Sequence, residues 1–130
     1  MTSTPYGEYL ERACQSLTQA ASQHFTENQY SVSRGPDGDA ALLSILCQAG
    51  EFRVKTWSDV FQIIFSQEFV YTTFLRDPSD EIDELSRTAL CEIGRVCRGV
   101  GRMQPATTAL RRKPLLILET LSGEEWIFYS

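Results

Sequence analysis

The sequence has few of the residues from which enzyme active sites and metal centres are usually built. It contains one histidine, His24, and four cysteines, none of which belongs to a CxxC pair. Zinc sites that use two or three histidines are therefore excluded, and a nucleophile–histidine–acid triad would have only this one base. Because His24 lies beside Phe25 on a helical face, we interpret it as a structural histidine or one whose tip reaches solvent. We predict no metal site, no cofactor and no enzymatic activity.

Long apolar runs are also missing. Residues 1–17 have neither the basic nor the apolar region of a signal peptide. No later segment approaches the roughly 20 apolar residues of a membrane span. Cys14, Cys47, Cys91 and Cys97 lie on or near apolar stripes, which is typical of buried thiols in a reducing compartment; a disulfide or an exposed reactive thiol is the alternative. We therefore predict a cytoplasmic protein without membrane contact.

The net charge of −5 limits the classes of partner. Non-specific binding to nucleic acid or to anionic lipid needs a positive surface, so neither is expected. A modest acidic excess keeps small proteins soluble, which is the simplest explanation of the charge. The alternative is an acidic face that meets a basic partner protein.

The clearest secondary-structure pattern covers residues 78–103, PSDEIDELSRTALCEIGRVCRGVGRM. Acids fill the first turns and arginines the last, which is the favourable order for a helix dipole. Apolar residues recur at spacings of three and four, which indicates one face of a helix. Gly99 and Gly101, followed by Pro105, predict its end. We interpret the acids as dipole complementation on a solvated face, and the glycines as helix termination rather than a dinucleotide-binding loop.

Other elements are predicted on both sides of this helix. An amphipathic helix is expected over residues 6–25, with a stripe suited to packing on a sheet or another helix. Three antiparallel strands joined by tight turns are expected between residues 30 and 56, with the apolar run 40–48 in the middle. Further on, helical spacing and strand propensity disagree. We predict a helix at 58–66 and a strand or second short helix at 68–76.

The last part of the sequence predicts a loop at 104–113 and a hairpin of two strands at 115–121 and 126–129. The first of these strands has no polar alternation, so we expect it to be central and covered on both faces. The whole pattern predicts a single α+β domain over residues 1–130. Its sheet is mostly antiparallel, with about five strands and with amphipathic helices packed on one face.

Basic residues are concentrated between Gly94 and Pro114, a segment with six of them and no acid, so the rest of the chain carries −11. Arginines near a helix end can hold a phosphate or a carboxylate surface. We interpret the segment as a solvated basic face; a patch for an acidic partner and a nucleic-acid contact are the alternatives. No aromatic residue interleaves with it, so stacking of single-stranded bases is not supported. This basic cluster consists of Arg95, Arg98, Arg102, Arg111, Arg112 and Lys113.

Three aromatic residues, Trp126, Phe128 and Tyr129, lie together in the segment WIFYS. Such residues are either part of a sheet core or anchors of an interface, and the core is favoured here.

Three hypotheses about function follow. The first is a non-enzymatic protein that binds another protein, such as an inhibitor or immunity-type protein, an adaptor or a chaperone. The second is an enzyme or binding domain for a phosphorylated small molecule, in which Arg95, Arg98 and Arg102 converge on a concave pocket with a carboxylate nearby. The third is a subunit of a homo-oligomer, such as a homodimer, assembled through the first helix or an exposed sheet edge.

Overall fold

The structure, a computed structural model, describes residues 5–35, 37–107 and 113–130. Within these ranges two α-helices and one short 3-10 helix accompany eight β-strands. The helices are α1 (Pro5–Ser22), α2 (Pro78–Cys97) and the 3-10 helix Glu27–Gln29. The strands are β1 (Tyr30–Ser33), β2 (Ala41–Cys47), β3 (Gly50–Trp57), β4 (Val60–Phe65), β5 (Phe69–Phe74), β6 (Met103–Ala106), β7 (Leu115–Glu119) and β8 (Glu125–Tyr129).

All eight strands form one antiparallel sheet in the order β1-β2-β3-β4-β5-β8-β7-β6. The first five strands follow one another as a meander. Helix α2 then carries the chain to the far edge, and β6, β7 and β8 return towards the middle. The two halves of the sheet join where Val70 of β5 pairs with Tyr129 of β8. The α+β class is therefore confirmed, but the expected number of about five strands is wrong.

Two of the additional strands lie where a helix and a loop were predicted. The predicted helix at 58–66 is strand β4, and the start of the predicted loop at 104–113 is strand β6. For residues 68–76 the strand was the right alternative. Strand β6 contains Pro105 and lies at the edge of the sheet, where a missing N–H costs no ladder hydrogen bond.

The error at β4 has a local cause. Ser58 and Asp59 resemble a helix N-cap, but they form the tight turn between β3 and β4, and Ser58 has a φ of +52°. Serine and aspartate serve both purposes, because their side chains bond to nearby backbone in caps and in turns. The β-branched and aromatic residues that follow then pair along β3 from Trp57–Val60 to Phe52–Phe65.

Helix α2 begins at Pro78 as predicted, but it ends at Cys97, whereas the predicted pattern ran to Met103, the first residue of β6. Asp77 caps its N-terminus by accepting the N–H of Asp80 at 3.4 Å, while Glu81 accepts the N–H of Asp77 at 2.7 Å. At the other end Gly99 has a φ of +77°, a conformation that glycine adopts without strain. Helix α1 is shorter than predicted and ends at Ser22.

Both helices pack on one face of the sheet, as expected. The core between the layers combines the inward residues of α1 and α2 with alternate residues of the strands. Each fully buried aliphatic or aromatic side chain stabilises the fold by roughly 1.5–3 kcal/mol. The largest of them are Leu10, Leu17, Leu43, Ile45, Phe52, Phe61, Ile63, Ile82, Leu90, Ile93, Leu118 and Phe128.

A disulfide corrects the prediction of four buried thiols. Cys47 at the end of β2 is bonded to Cys97 at the end of α2, with their Cα atoms 5.9 Å apart. Cys14 and Cys91 are free. The bond ties the last residue of α2 to the sheet across 50 positions of sequence, a distance at which residue spacing gives no pairing signal. Among the described residues, no helix is long and apolar enough to cross a membrane.

Candidate functional site

The basic cluster is only partly available to a ligand. Arg95 forms an ion pair within the protein, with its Nη1 atom 2.5 Å from Oε1 of Glu92. Arg98, Arg102 and Lys113 are exposed. The remaining two members, Arg111 and Arg112, lie outside the described residues.

A shallow depression of about 360 Å³ lies beside this cluster. Arg95, Arg102 and Glu119 line it, and Arg98 does not. The phosphate-binding hypothesis required all three arginines to converge with a carboxylate nearby. Two of the three line the depression, and one of these, Arg95, is paired with Glu92.

Glu92 is a buried carboxylate that was not among the predicted site residues. It is 3% exposed, and its second oxygen, Oε2, accepts the backbone N–H of Leu121 at 3.2 Å. The sequence signal for this ion pair was the spacing of three residues between Glu92 and Arg95 on a helix. Glu92 thus connects α2 to the turn between β7 and β8.

Three of the acids around the start of α2, Asp77, Glu81 and Asp83, accept hydrogen bonds. Asp83 accepts hydrogen bonds from the hydroxyl of Ser16 and from Arg12, the latter at 3.0 Å, so it joins α2 to α1. The hydrogen bond from Ser16 lowers the pKa of Asp83, and that from Arg12 lowers it further. No group of three or more potential metal ligands occurs among the residues described.

His24 lies just beyond α1 and packs against α2. A Cβ atom placed on Gly94 would be only 3.4 Å from the Cβ of His24, so the glycine permits this close approach. Burial lowers the pKa of His24, and the positive charge of Arg98 lowers it further. These contacts place the histidine between two packed segments.

The aromatic residues of WIFYS point to opposite sides of the sheet. Trp126 and Phe128 are 4% and 0% exposed, and Tyr71 stacks on Trp126 with ring centroids 4.8 Å apart. They are core residues, as favoured, and are not available as anchors of an interface. Tyr129 is 48% exposed and lies on the face away from the helices.

That second face, which we call the outer face, carries many apolar side chains. Among the described residues no helix covers it. An antiparallel sheet with one solvated face normally alternates apolar inward residues with polar outward ones. Here β4, β5, β7 and β8 place apolar residues at outward positions as well. These are Val60, Ile64, Val70, Phe74, Leu115, Ile117, Ile127 and Tyr129, of which Leu115 is buried.

Strand register brings these residues together. Ile64 pairs with Val70, which pairs with Tyr129, and Val60 pairs with Phe74. Phe74 is 69% exposed, which is unusual for a phenylalanine in a regular strand. These residues form two apolar groups on the outer face, separated by the hydrogen-bonded polar pair Gln62 and Thr72. Ile64, Val70 and Tyr129 form one group, and Val60 and Phe74 form the other; we call the two groups together the apolar patch.

Strand β3 borders this patch with charged residues. On its outer side Arg53 lies 3.1 Å from the carboxylate of Glu51. Lys55 lies over the ring of Trp57, 5.0 Å from its centroid, and forms no ion pair with a described residue. Since Glu51 balances Arg53, the border contributes one net positive charge.

Comparisons with known proteins do not assign the chain to a family. No family model matches it, and no curated protein or solved structure shows a significant match. The outer face is therefore identified as the candidate site from the structure of this chain alone.

Proposed function

We propose that the chain is a non-enzymatic protein that binds another protein through its outer face. The observation that supports this most is the 69% exposure of Phe74, which lies beside Val60 in the apolar patch of this face. Exposed apolar surface bordered by polar residues is typical of protein-binding sites. An inhibitor, an immunity-type protein, an adaptor or a chaperone would each use such a surface.

The apolar and charged side chains of the outer face indicate which kind of partner surface it would bind. Its apolar centre suits an apolar patch on another protein, with aromatic anchors such as Phe74 and Tyr129 supplying most of the affinity. The positive charge of Lys55 at the border suits a carboxylate on the partner. Such a charge pair at the rim raises the association rate and makes it sensitive to salt.

The cytoplasmic location expected from the sequence stays a prediction. The disulfide between Cys47 and Cys97 counts against it, because structural disulfides are rare in the cytosol of most cells. Protein binding through the outer face does not depend on the compartment.

A binding experiment with three variants tests the proposal. The partner is captured from native extract with the tagged chain, identified, purified, and titrated against each variant. Phe74→Lys places a charge in the apolar patch. Leu121→Lys is the matched control, because Leu121 is 70% exposed but lies in the turn between β7 and β8. Arg98→Glu changes the basic cluster instead.

We expect Phe74→Lys to raise the dissociation constant at least about ten-fold, the usual effect of losing an interface anchor. Leu121→Lys and Arg98→Glu should leave it within about two-fold. A partner that is lost with Arg98→Glu and retained with Phe74→Lys would place binding on the basic cluster and overturn the proposal. A captured partner that is a second copy of the chain would favour the homo-oligomer and contradict a heterologous partner.

A further inference from the structure

The sheet has two edges, and in the part of the chain that the structure describes only the β6 edge is protected against pairing with another strand. The edge strand β6 contains Pro105, which cannot donate a backbone hydrogen bond. The opposite edge strand, β1, has the sequence Tyr-Ser-Val-Ser, with no proline and no charged residue. Among the described residues no strand pairs with its outer side. Alternate residues of such a strand direct their N–H and C=O groups away from the sheet.

A groove of about 550 Å³ runs beside β1, between this strand and α1. On the helix side Cys14, Thr18 and Ser22 line it, and on the strand side Val32 and Ser33. The thiol of Cys14 donates a long hydrogen bond, 3.8 Å, to the backbone carbonyl of Ser33. A thiol is a weak donor, so an amide N–H arriving at this carbonyl would form the stronger bond.

The charges of the lining residues indicate which kind of peptide segment the groove can bind. Of the residues that line the groove, only Glu11 and Arg34 are charged. Both lie near Cys14, where their opposite charges act on the same thiol. Desolvation raises the pKa of Cys14, so its thiol is neutral at physiological pH and adds no charge of its own. An uncharged, apolar occupant therefore matches the groove.

We propose that β1 and the groove beside it form a strand-addition site for an extended segment of a partner protein. The segment pairs its backbone with the open side of β1 and becomes a ninth strand. Because side chains alternate along a strand, every second one enters the groove and lies against Thr18 and Val32. These positions of the segment are apolar and uncharged. The intervening side chains lie level with Ser31 on the outer face.

This site goes beyond the outer-face proposal, since it uses a different part of the sheet, and the two can fail separately. The probe is a phage-displayed library of random linear decapeptides selected on the full chain. One enriched peptide is then synthesised and its dissociation constant measured by fluorescence anisotropy. The protein variants are Thr18→Arg, which fills the groove, and Thr88→Arg, the same change at an exposed position of α2.

The expected peptides carry apolar residues at every second position. Thr18→Arg should weaken binding at least about ten-fold, and Thr88→Arg and Phe74→Lys should each change it less than about two-fold. Scanning the peptide with backbone N-methyl groups, against the unaltered protein, should weaken binding at alternate positions only, because those amides pair with β1. The scan remains decisive if Thr18→Arg does not fold.

Three results would overturn the strand-addition site. One is a selection that enriches no binding peptide. Another is a peptide that binds Thr18→Arg as tightly as the unaltered protein. The third is N-methyl sensitivity without a period of two, such as a spacing of three and four residues, which would indicate a helix in the groove.

Discussion

The carboxylate of Glu92 and the guanidinium of Arg95 form a partly buried ion pair, with 2.5 Å between Oε1 and Nη1, beneath the turn between β7 and β8. The side chains of the pair are 4% and 16% exposed. Because Glu92 also accepts the N–H of Leu121, the pair holds the last hairpin of the sheet against α2. The hairpin supplies Ile127 and Tyr129 to the outer face, so the ion pair also positions that face.

Glu92→Ala should lower the free energy of unfolding by about 3 kcal/mol. The change leaves Arg95 without its partner in a poorly solvated position, which is the costly way to break such a pair. Urea denaturation at neutral pH measures the loss. Glu84→Ala, an exposed acid on the same helix, is the control and should cost less than about 0.5 kcal/mol. Equal losses in the two variants would show that Arg95 is solvated without Glu92.

Asp83 should make the free energy of unfolding depend on pH at acidic pH. Its hydrogen bonds from Ser16 and Arg12 hold its pKa in the folded protein below the ordinary value of 3.8. The unfolded state therefore binds the proton more readily, so the contribution is full above that ordinary value and is lost as pH falls through the folded pKa.

The measurement compares the unaltered protein with Asp83→Asn in urea titrations at a series of pH values. The difference in unfolding free energy should be constant from neutral pH down to about pH 5 and should shrink at lower pH. Asp80→Asn, a change in an exposed acid of the first turn of α2, is the control for effects of the helix dipole. A difference that grows as pH falls would contradict the assigned contacts.

The disulfide between Cys47 and Cys97 should contribute about 2–4 kcal/mol, since it closes a long loop in the unfolded chain. Cys47→Ser combined with Cys97→Ser removes it, and thermal unfolding with and without a reductant measures the effect. Reductant should lower the melting temperature of the unaltered protein and leave that of the double variant unchanged. Equal sensitivity of both proteins to reductant would indicate that the bond does not contribute to stability.

The helices could be predicted from sequence because their signals are local. Asp77, Pro78 and Gly99 mark the ends of α2. The apolar residues between them recur at spacings of three and four, which fits a helix and not a strand. Strand β4 could not be assigned in the same way, since Val60, Phe61, Ile64 and Phe65 satisfy helical spacing while also favouring a strand. Pairing with β3 decides between the two, and pairing is a tertiary contact that spacing does not contain.

The candidate site was harder to predict for the same reason. Arginines near the end of α2 were visible in the sequence, but the partner of Arg95 depended on the burial of Glu92. The outer face depends on strand order, because Val70 meets Tyr129 only when β8 is placed beside β5. The sequence signal for an apolar outer face was a strand with apolar residues on both sides, such as β4. This signal does not distinguish a face covered by another element from an exposed binding face.

The most direct test of the protein-binding account is a carbene footprint of the chain alone and in complex with its purified partner. Phe74 and Ile127 report on the outer face, and Val100 and Leu121 are exposed apolar side chains elsewhere. The account predicts that labelling of Phe74 and Ile127 falls in the complex while labelling of Val100 and Leu121 is unchanged. Unchanged labelling of Phe74 in a saturated complex would contradict it.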